Sequence, residues 1–389
     1  MELSPPSATE GSATKDPVIR VMLVDDSAVI RGLISRTLEK DKSILITGSV
    51  SNGEMAVNSV RRANPDVIIL DIEMPVMSGL EAIPLLLKEK PGVKILMCST
   101  LSLRGADITL KALTLGATEC IAKPTSSTEM ITAGDFSAEL LRLIKGLGQS
   151  PAPLKETESG AKTRPLRTPG AKTAEAEKPP IKLRRDAFAY TGKPDILAIG
   201  SSTGGPQALM NLMKSFTTFD IPIVITQHMP KTFTTVLARH ITQHCGIPCY
   251  EGEEGMVLQK GNAYVAPGGF HMKIVRNDNN QSCIHIDDGV PENYCKPSVD
   301  PMIRSLIELY GRKILTIILT GMGRDGLESC RSLVELGGRV IAQDQATSVV
   351  WGMPGAVAEA GLCTEVLPLN EIGSWACNAV MGRKRQTEQ

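Results

Sequence analysis

Two groups of residues in this 389-residue chain have the types and spacing to do chemistry. The first is built from carboxylates. Asp25 and Asp26 follow the apolar run Val21–Val24, and Asp71 follows Val67–Leu70. Carboxylates gathered without other ligand types suit a hard, oxygen-seeking cation, and Mg²⁺ is the usual occupant. Two further groups end apolar runs of their own: Ser99 (or Thr100), and Lys123, which precedes Pro124. A divalent cation and an ammonium around one carboxylate are what phosphoryl transfer needs. The cations neutralise the phosphoryl oxygens and the carboxylate attacks. One Asp at a loop start is ordinarily just a solvated charge; this many such groups, each behind its own strand, are not explained that way.

The second group is centred on Gly200-Ser201-Ser202-Thr203-Gly204-Gly205, between an apolar run and a helical pattern. It lacks the lysine of a phosphate-binding GxxxxGK[ST] loop and the spacing of GxGxxG. It also lacks the GxSxG elbow. A serine on such a turn can still be presented as a nucleophile, with nearby N–H groups to hold an oxyanion. His228 stands in Ile225-Thr226-Gln227-His228-Met229-Pro230, and Asp325 in Leu319-Thr320-Gly321-Met322-Gly323-Arg324-Asp325-Gly326. Three strand ends thus offer Ser, His and Asp to one sheet edge, the layout of nucleophile, base and orienter. The order Ser, His, Asp differs from the three common ones, which suits an independent origin. His240, His244, Cys245 and Cys249 imitate metal-ligand spacing. Their segment lacks the HExxH glutamate, so they read as surface helix residues and a buried thiol. Asp287-Asp288 and Glu253-Glu254 read as solvated turn charges.

Alternating strands and helices must position these groups. In the N-terminal part, strands are expected at Val18–Val24, Ile44–Val50, Val67–Leu70, Lys94–Cys98 and Glu119–Ala122. Helices fall at Ala28–Leu38, Glu54–Arg62, Leu80–Lys88 and Ala106–Leu115. Five βα units imply a doubly wound α/β fold with a five-stranded parallel sheet, which gathers ligands outside the strands' carboxyl ends. Gln149–Gly192 changes character: six prolines, and nine Lys or Arg against five Asp or Glu. It reads as a flexible linker with a reach of roughly 35 Å. A second α/β pattern follows, with strands at Ile196–Ile199, Ile221–Thr226, Ile314–Leu319 and Arg339–Gln343. Helices are expected at Gln207–Lys214, Thr232–His244 and Val299–Tyr310, with a small β-meander over Tyr264–Ala266, Met272–Val275 and Cys283–Ile286. The sheet should be mostly parallel. The expected division is 18–146, a linker at 147–192, and 193–383.

Composition narrows the function classes. Forty-two Lys and Arg balance 42 Asp and Glu, which gives no electrostatic footprint for nucleic acid or a membrane surface. Aromatics at 3% cannot build a base-stacking platform. No apolar run reaches the roughly 20 residues of a membrane span, and the polar start has no signal-peptide core. Nine scattered cysteines without a Cys-x-x-Cys pair read as reduced thiols, and the expected location is the cytoplasm.

Over about Ile19–Gly146 the chain resembles the receiver domain of bacterial response regulators. The carrying residues are Val24-Asp25-Asp26-Ser27, Asp71-Ile72-Glu73-Met74-Pro75 with Gly79, Ser99, and Ala122-Lys123-Pro124. The resemblance implies that Asp71 is the phospho-acceptor, that Asp25 and Asp26 hold Mg²⁺, and that Glu73 adds its backbone carbonyl. Ser99 would be the switch hydroxyl and Lys123 the phosphate's partner. Cys120 stands where many receivers carry an aromatic switch residue.

From about Asp195 to Met381 the chain resembles the catalytic domain of chemotaxis protein-glutamate methylesterases. The matching stretches are Gly200–Gly205, Thr226–Pro230, Ala263–Gly268, Lys296–Asp300, Leu319–Gly326 and Gly352–Pro354. The family serine directly precedes Thr-Gly-Gly, which selects Ser202 over Ser201. The resemblance implies hydrolysis of glutamyl methyl esters on chemoreceptors, often with deamidation of specific glutamines. Ser202 would be nucleophile, His228 base and Asp325 orienter, with Thr203 and the Met322 backbone N–H as oxyanion candidates and no cofactor for the esterase. A sensor histidine kinase would supply the phosphoryl group. Two other classes stand against this: an adaptor with an inactive hydrolase domain, disfavoured by the intact triad, and a nucleotide-binding domain, disfavoured by the missing lysine and ribose-binding acid.

Overall fold

The computed structural model describes residues 18–99, 103–123, 134–148, 181–184, 192–216 and 219–382. Thr100, Pro124 and most of the expected linker lie outside the described residues.

The N-terminal sheet contains β1 (Ile19–Val24), β2 (Ile44–Val50), β3 (Val67–Asp71), β4 (Lys94–Ser99) and β5 (Glu119–Ala122), all parallel in the order β2-β1-β3-β4-β5. Every residue of β3 and β4 is buried, as a strand covered on both faces requires. Helices α1 (Ala28–Leu38), α2 (Gly53–Ala63), α3 (Gly79–Glu89), α4 (Leu103–Thr114) and α5 (Gly134–Gly148) cover the sheet. The expected strands and helices match these to within a few residues. Helix α5 was not anticipated, because no turn signal marks its start; it runs to Gly148, just beyond the expected boundary at 146.

The C-terminal sheet has seven strands. These are β6 (Ile196–Ser201), β7 (Ile223–Gln227), β8 (Cys249–Glu251), β9 (Ala263–Val265), β12 (Ile314–Ile318), β13 (Arg339–Gln343) and β14 (Glu365–Leu367). All neighbours pair in parallel, in the order β14-β13-β12-β6-β7-β9-β8. The remaining strands, β10 (His271–Arg276) and β11 (Ser282–Asp287), form a separate antiparallel pair. The expected three-strand meander is therefore corrected: β9 joins the large sheet beside β7, and only a hairpin remains. Three residues of β9, too short to show a period, could not be assigned to a partner from sequence.

The helices of this half are α6 (Gly205–Lys214), α7 (Phe233–Cys245), α8 (Val299–Tyr310), α9 (Leu327–Glu335), α10 (Met353–Glu359) and α11 (Leu369–Met381). Among the described residues no helix is long and apolar enough to cross a membrane. Ile181–Arg184 lies against this half: the Arg184 N–H donates to Cys363 O at 2.8 Å and Leu183 packs on its core.

The two halves are in contact. Helix α4 packs on α6 and α7. Asp107 on α4 accepts from Arg239 Nη2 at 2.8 Å and from His240 Nε2 at 3.1 Å. His240 is thus a buried interface residue, which corrects its reading as a surface helix residue. Arg142 on α5 donates to Met322 Sδ at 3.3 Å.

Candidate functional site

The parallel order brings the strand ends together. Ser202 follows β6, His228 follows β7, and Asp325 follows β12, and β6 lies between β7 and β12. The chain runs from β6 to β7 on one side and from β12 to β13 on the other, so the order reverses between β6 and β12, which is where an open α/β sheet forms its crevice.

Of the two adjacent serines, only one is available. Ser201 is the last residue of β6, is fully buried, and donates its hydroxyl to Gln227 Oε1 at 2.7 Å. Ser202 turns out of the sheet and lines a cleft of about 270 Å³. Its backbone is fixed: the N–H donates to Thr320 O at 3.1 Å, and its carbonyl accepts from Gln227 Nε2 at 3.0 Å. Among the described residues, no hydrogen bond engages Ser202 Oγ, Thr203 Oγ1 or the Met322 N–H. The loop after β12 comes so close that a Cβ on Gly321 would lie 2.8 Å from Ser202 Cβ, so glycine is what lets this loop pass beside Ser202. Gly204 caps α6 in the left-handed region, φ 74°, where a Cβ would also meet Val349.

His228 and Asp325 form a closed pair, with Nε2 2.7 Å from Oδ2. Asp325 accepts four more bonds: from Ser298 Oγ at 2.7 Å, Val299 N–H at 2.6 Å, Asp300 N–H at 3.3 Å and Asn293 Nδ2 at 2.9 Å. Burial alone would raise its pKa, yet His228 and these donors hold it well below the usual carboxylate range. Burial likewise pulls His228 down, but Asp325, with Cys295, outweighs it and raises the imidazole above the ordinary value. The other ring nitrogen, Nδ1, faces Cys295 Sγ at 3.3 Å, and no hydrogen bond joins it to Ser202.

Sequence reasoning did not assign roles to Ser298, Asn293 or Cys295. Ser298 lay in a recognised matching stretch, but only the fold reveals that the start of α8 meets Asp325. Asn293 and Cys295 carried no local signal.

The receiver-like half assembles its own site. Asp25, Asp26 and Asp71 each offer a carboxylate oxygen within 4.8 Å of the others. Lys123 Nζ stands 2.8 Å from Asp25 Oδ2 and 2.7 Å from Asp71 Oδ1. Three anionic hard oxygens beside a single ammonium leave excess negative charge, which fits a divalent cation. Burial raises the Asp71 pKa against the opposing pull of Lys123. Ser99 is buried at the end of β4, its hydroxyl donating to Gly105 O at 3.3 Å. Glu73 follows β3; its side chain stands outside the carboxylate cluster. His240, His244, Cys245 and Cys249 form no metal-binding group among the described residues.

The receiver-like half also forms one wall of the serine's cleft. Glu119, Cys120, Glu139 and Arg142 face Ser202, Thr203 and His228 across it. Glu119, on β5, accepts from the Gly204 N–H at 3.2 Å. Its carboxyl is raised to about 7, chiefly by burial, and the N–H donors of Cys120 and Gly204 only partly offset this. The Cys120 thiol is pushed well above its ordinary value by the same burial.

Comparison with known proteins agrees with both halves. The family described as CheB methylesterase matches residues 197–375, and the response regulator receiver domain matches 21–134. A protein-glutamate methylesterase/protein-glutamine glutaminase of group 2 operon from Rhodospirillum centenum is 50% identical over 93% of this chain and 94% of its own. A protein-glutamate methylesterase/protein-glutamine glutaminase from Azospirillum brasilense is 51% identical over 96% and 95%. The crystal structure of the Thermotoga maritima CheB methylesterase catalytic domain is 36% identical, covering 48% of this chain and 98% of that one, with a TM-score of 0.46. With half of its residues shared over nearly its whole length, the chain belongs to the CheB family of protein-glutamate methylesterases, with a response-regulator receiver domain joined to the methylesterase domain.

Proposed function

We propose that this chain hydrolyses glutamyl methyl esters on chemoreceptors, releasing methanol, and deamidates specific receptor glutamines, under the control of phosphorylation at Asp71. The observation that carries this is the state of the two serines: Ser201 is bonded inside the sheet, while Ser202 stands free in the cleft beside a bonded His228–Asp325 pair. Ser202 Oγ attacks the ester carbonyl and its proton passes to His228. Asp325 holds the resulting imidazolium. Thr203 and the Met322 N–H receive the oxyanion. The proton then leaves with methanol, and water releases the glutamate from the acyl-serine by the reverse sequence. For this, the ring of His228 exchanges its contact with Cys295 for one with Ser202.

In the receiver, Asp71 accepts the phosphoryl group from a sensor histidine kinase, and Ser99 and Lys123 contact it. Asp25, Asp26 and Asp71, with the carbonyl of Glu73, would hold Mg²⁺, which neutralises phosphoryl charge. The working division is a receiver at 18–146, a linker at 147–192 and a hydrolase at 193–383, acting in the cytoplasm. The receiver forms one wall of the cleft that holds Ser202, and so narrows the approach of a receptor to it. In this reading the receiver inhibits in cis, and phosphorylation releases it.

Ser202→Ala should lower methanol release from methylated receptors on the order of 10³-fold or more, and His228→Gln similarly, because the covalent route is lost. Ser201→Ala should remain active. The reverse pattern would move the nucleophile by one residue.

A further inference from the structure

Beside the catalytic pair the backbone makes a tight turn that the reaction above does not use. Glu292 and Cys295 close it with reciprocal backbone bonds of 3.2 and 2.8 Å. Both residues between them, Asn293 and Tyr294, are left-handed, at φ 53° and 62°. Asn tolerates that region; a bulky aromatic there is strained, and such strain clusters at functional sites. The turn is held at three points. Asn293 Nδ2 bonds Asp300 Oδ2 and Asp325 Oδ1, both at 2.9 Å. Glu292 pairs with Arg304 at 2.6 Å. Cys295 meets His228. On this anchored turn the ring of Tyr294 is 103% exposed, and it stands on the rim of the cleft holding Ser202. A large aromatic, carried into water on an anchored and strained backbone, is not explained by the stability of the fold.

We propose that Tyr294 is a specificity-determining contact for the receptor helix that carries the reacting glutamyl ester. The inference rests on the function proposed above and names how its substrate is recognised. The reach of the substrate side chain is the argument. The ester carbon lies three bonds from its own Cα, roughly 4 Å at about 1.5 Å per bond. Ester hydrolysis at Ser202 therefore brings the receptor backbone to the mouth of the cleft. On a helix the side chains three and four residues away sit about 5–6 Å from the reacting one, on the same face. Tyr294 is adjacent in the chain to the residue touching His228, so its ring stands where those neighbours arrive. It offers an apolar face to their aliphatic stems and a hydroxyl to their polar ends, the combination that enriches Tyr at protein interfaces. The anchored backbone of the turn keeps the part of the docking entropy that comes from the loop small.

The test uses the full chain, activated with a small phosphodonor and Mg²⁺. Two substrates are compared: methylated receptor in membranes, and p-nitrophenyl acetate, which has no helix. Tyr294→Gly removes the ring yet accepts the left-handed backbone; Tyr294→Phe keeps the ring. The expected result for Tyr294→Gly is a drop of about tenfold in kcat/KM on receptor, carried by KM, of the size of a modest interface hot spot. Its turnover of p-nitrophenyl acetate should stay within about twofold of the parent on that same scale, and Tyr294→Phe should retain most receptor activity. Equal losses on both substrates would mean that the turn serves only to hold His228, and overturn the proposal. Unchanged receptor turnover would overturn it as well. A parent enzyme that releases no methanol from receptor would instead overturn the functional reading beneath it.

Discussion

Asp325 and Cys295 raise the pKa of His228 above that of a free imidazole, and in the proposed mechanism this sets the pH range of the reaction. A general base must be neutral. Because Asp325 raises the folded-state pKa, the neutral fraction is lost as pH falls through that raised value, not through the ordinary histidine value of about 6.5. The activated enzyme should therefore show an acid limb displaced above the ordinary histidine range. Asp325→Asn removes the anion that stabilises the imidazolium. It should shift the limb to lower pH and cut kcat at least tenfold, since positioning is lost as well. A limb that stays in place in the pH–rate profile of Asp325→Asn would deny Asp325 this role. The two titrating residues themselves were legible in the sequence, since each follows a clear apolar run. Residue types alone did not separate Ser201 from Ser202: the family pattern favoured Ser202, and the bond that ties Ser201 to Gln227 spans 26 positions and so left no local signal. Cys295 was invisible for the same reason, being 67 positions from His228.

Strand β5 links the two halves through residues at its two ends. Its last residue precedes Lys123, which grips Asp25 and Asp71, and its first, Glu119, reaches the Gly204 N–H in the hydrolase. A change in the charge at Asp71 thus acts on a strand that ends against the nucleophile's loop. The same geometry makes the contact sensitive to protons. Glu119 faces Glu139, which raises its pKa further, and Arg142, which lowers it. Docked, its carboxyl is raised to about 7, chiefly by burial, and exposure on release from the hydrolase would lower it. A group whose pKa rises on docking favours the docked state at low pH and loses that contribution as pH climbs through the docked value. Basal activity of the unphosphorylated chain, relative to a fragment of residues 193–389, should therefore rise between about pH 5 and 7. Glu119→Gln should flatten that rise and lower basal activity at neutral pH. A pH-independent ratio in the parent chain would contradict this role. From sequence, β5 could be read as a strand and Cys120 as an unusual switch position. Glu119 could not be singled out, because the charge is informative only when the opposing half buries it. The short β8 and β14 and the helices α9, α10 and α11 escaped notice because three-residue strands and helices without side-chain caps leave little periodic signal.

At the scale of the molecule, the five-stranded sheet and the central strands β6, β7, β12 and β13 of the larger one were legible, and the doubly wound topology converts the ends of such strands into sites. The arrangement of the halves was not. The interface is made by residues ordinary in isolation: Asp107 with Arg239 and His240, and Arg142 with Met322. These polar contacts flank apolar packing, in which Leu110 and Leu113 share a buried cluster with Met210 and Leu237, and Val349 and Val350 pack on the receiver core. A docking preference of about 1.4 kcal/mol between the two phosphorylation states changes the open-to-closed ratio tenfold.

The most direct test of the account is methanol release from methylated receptors by the full chain and by residues 193–389, each with and without a small phosphodonor and Mg²⁺. The account predicts that the fragment is faster than the unphosphorylated chain, that phosphodonor accelerates the full chain and leaves the fragment unchanged, and that Asp71→Asn abolishes the acceleration. A fragment no faster than the unphosphorylated chain, or acceleration that survives Asp71→Asn, would contradict it.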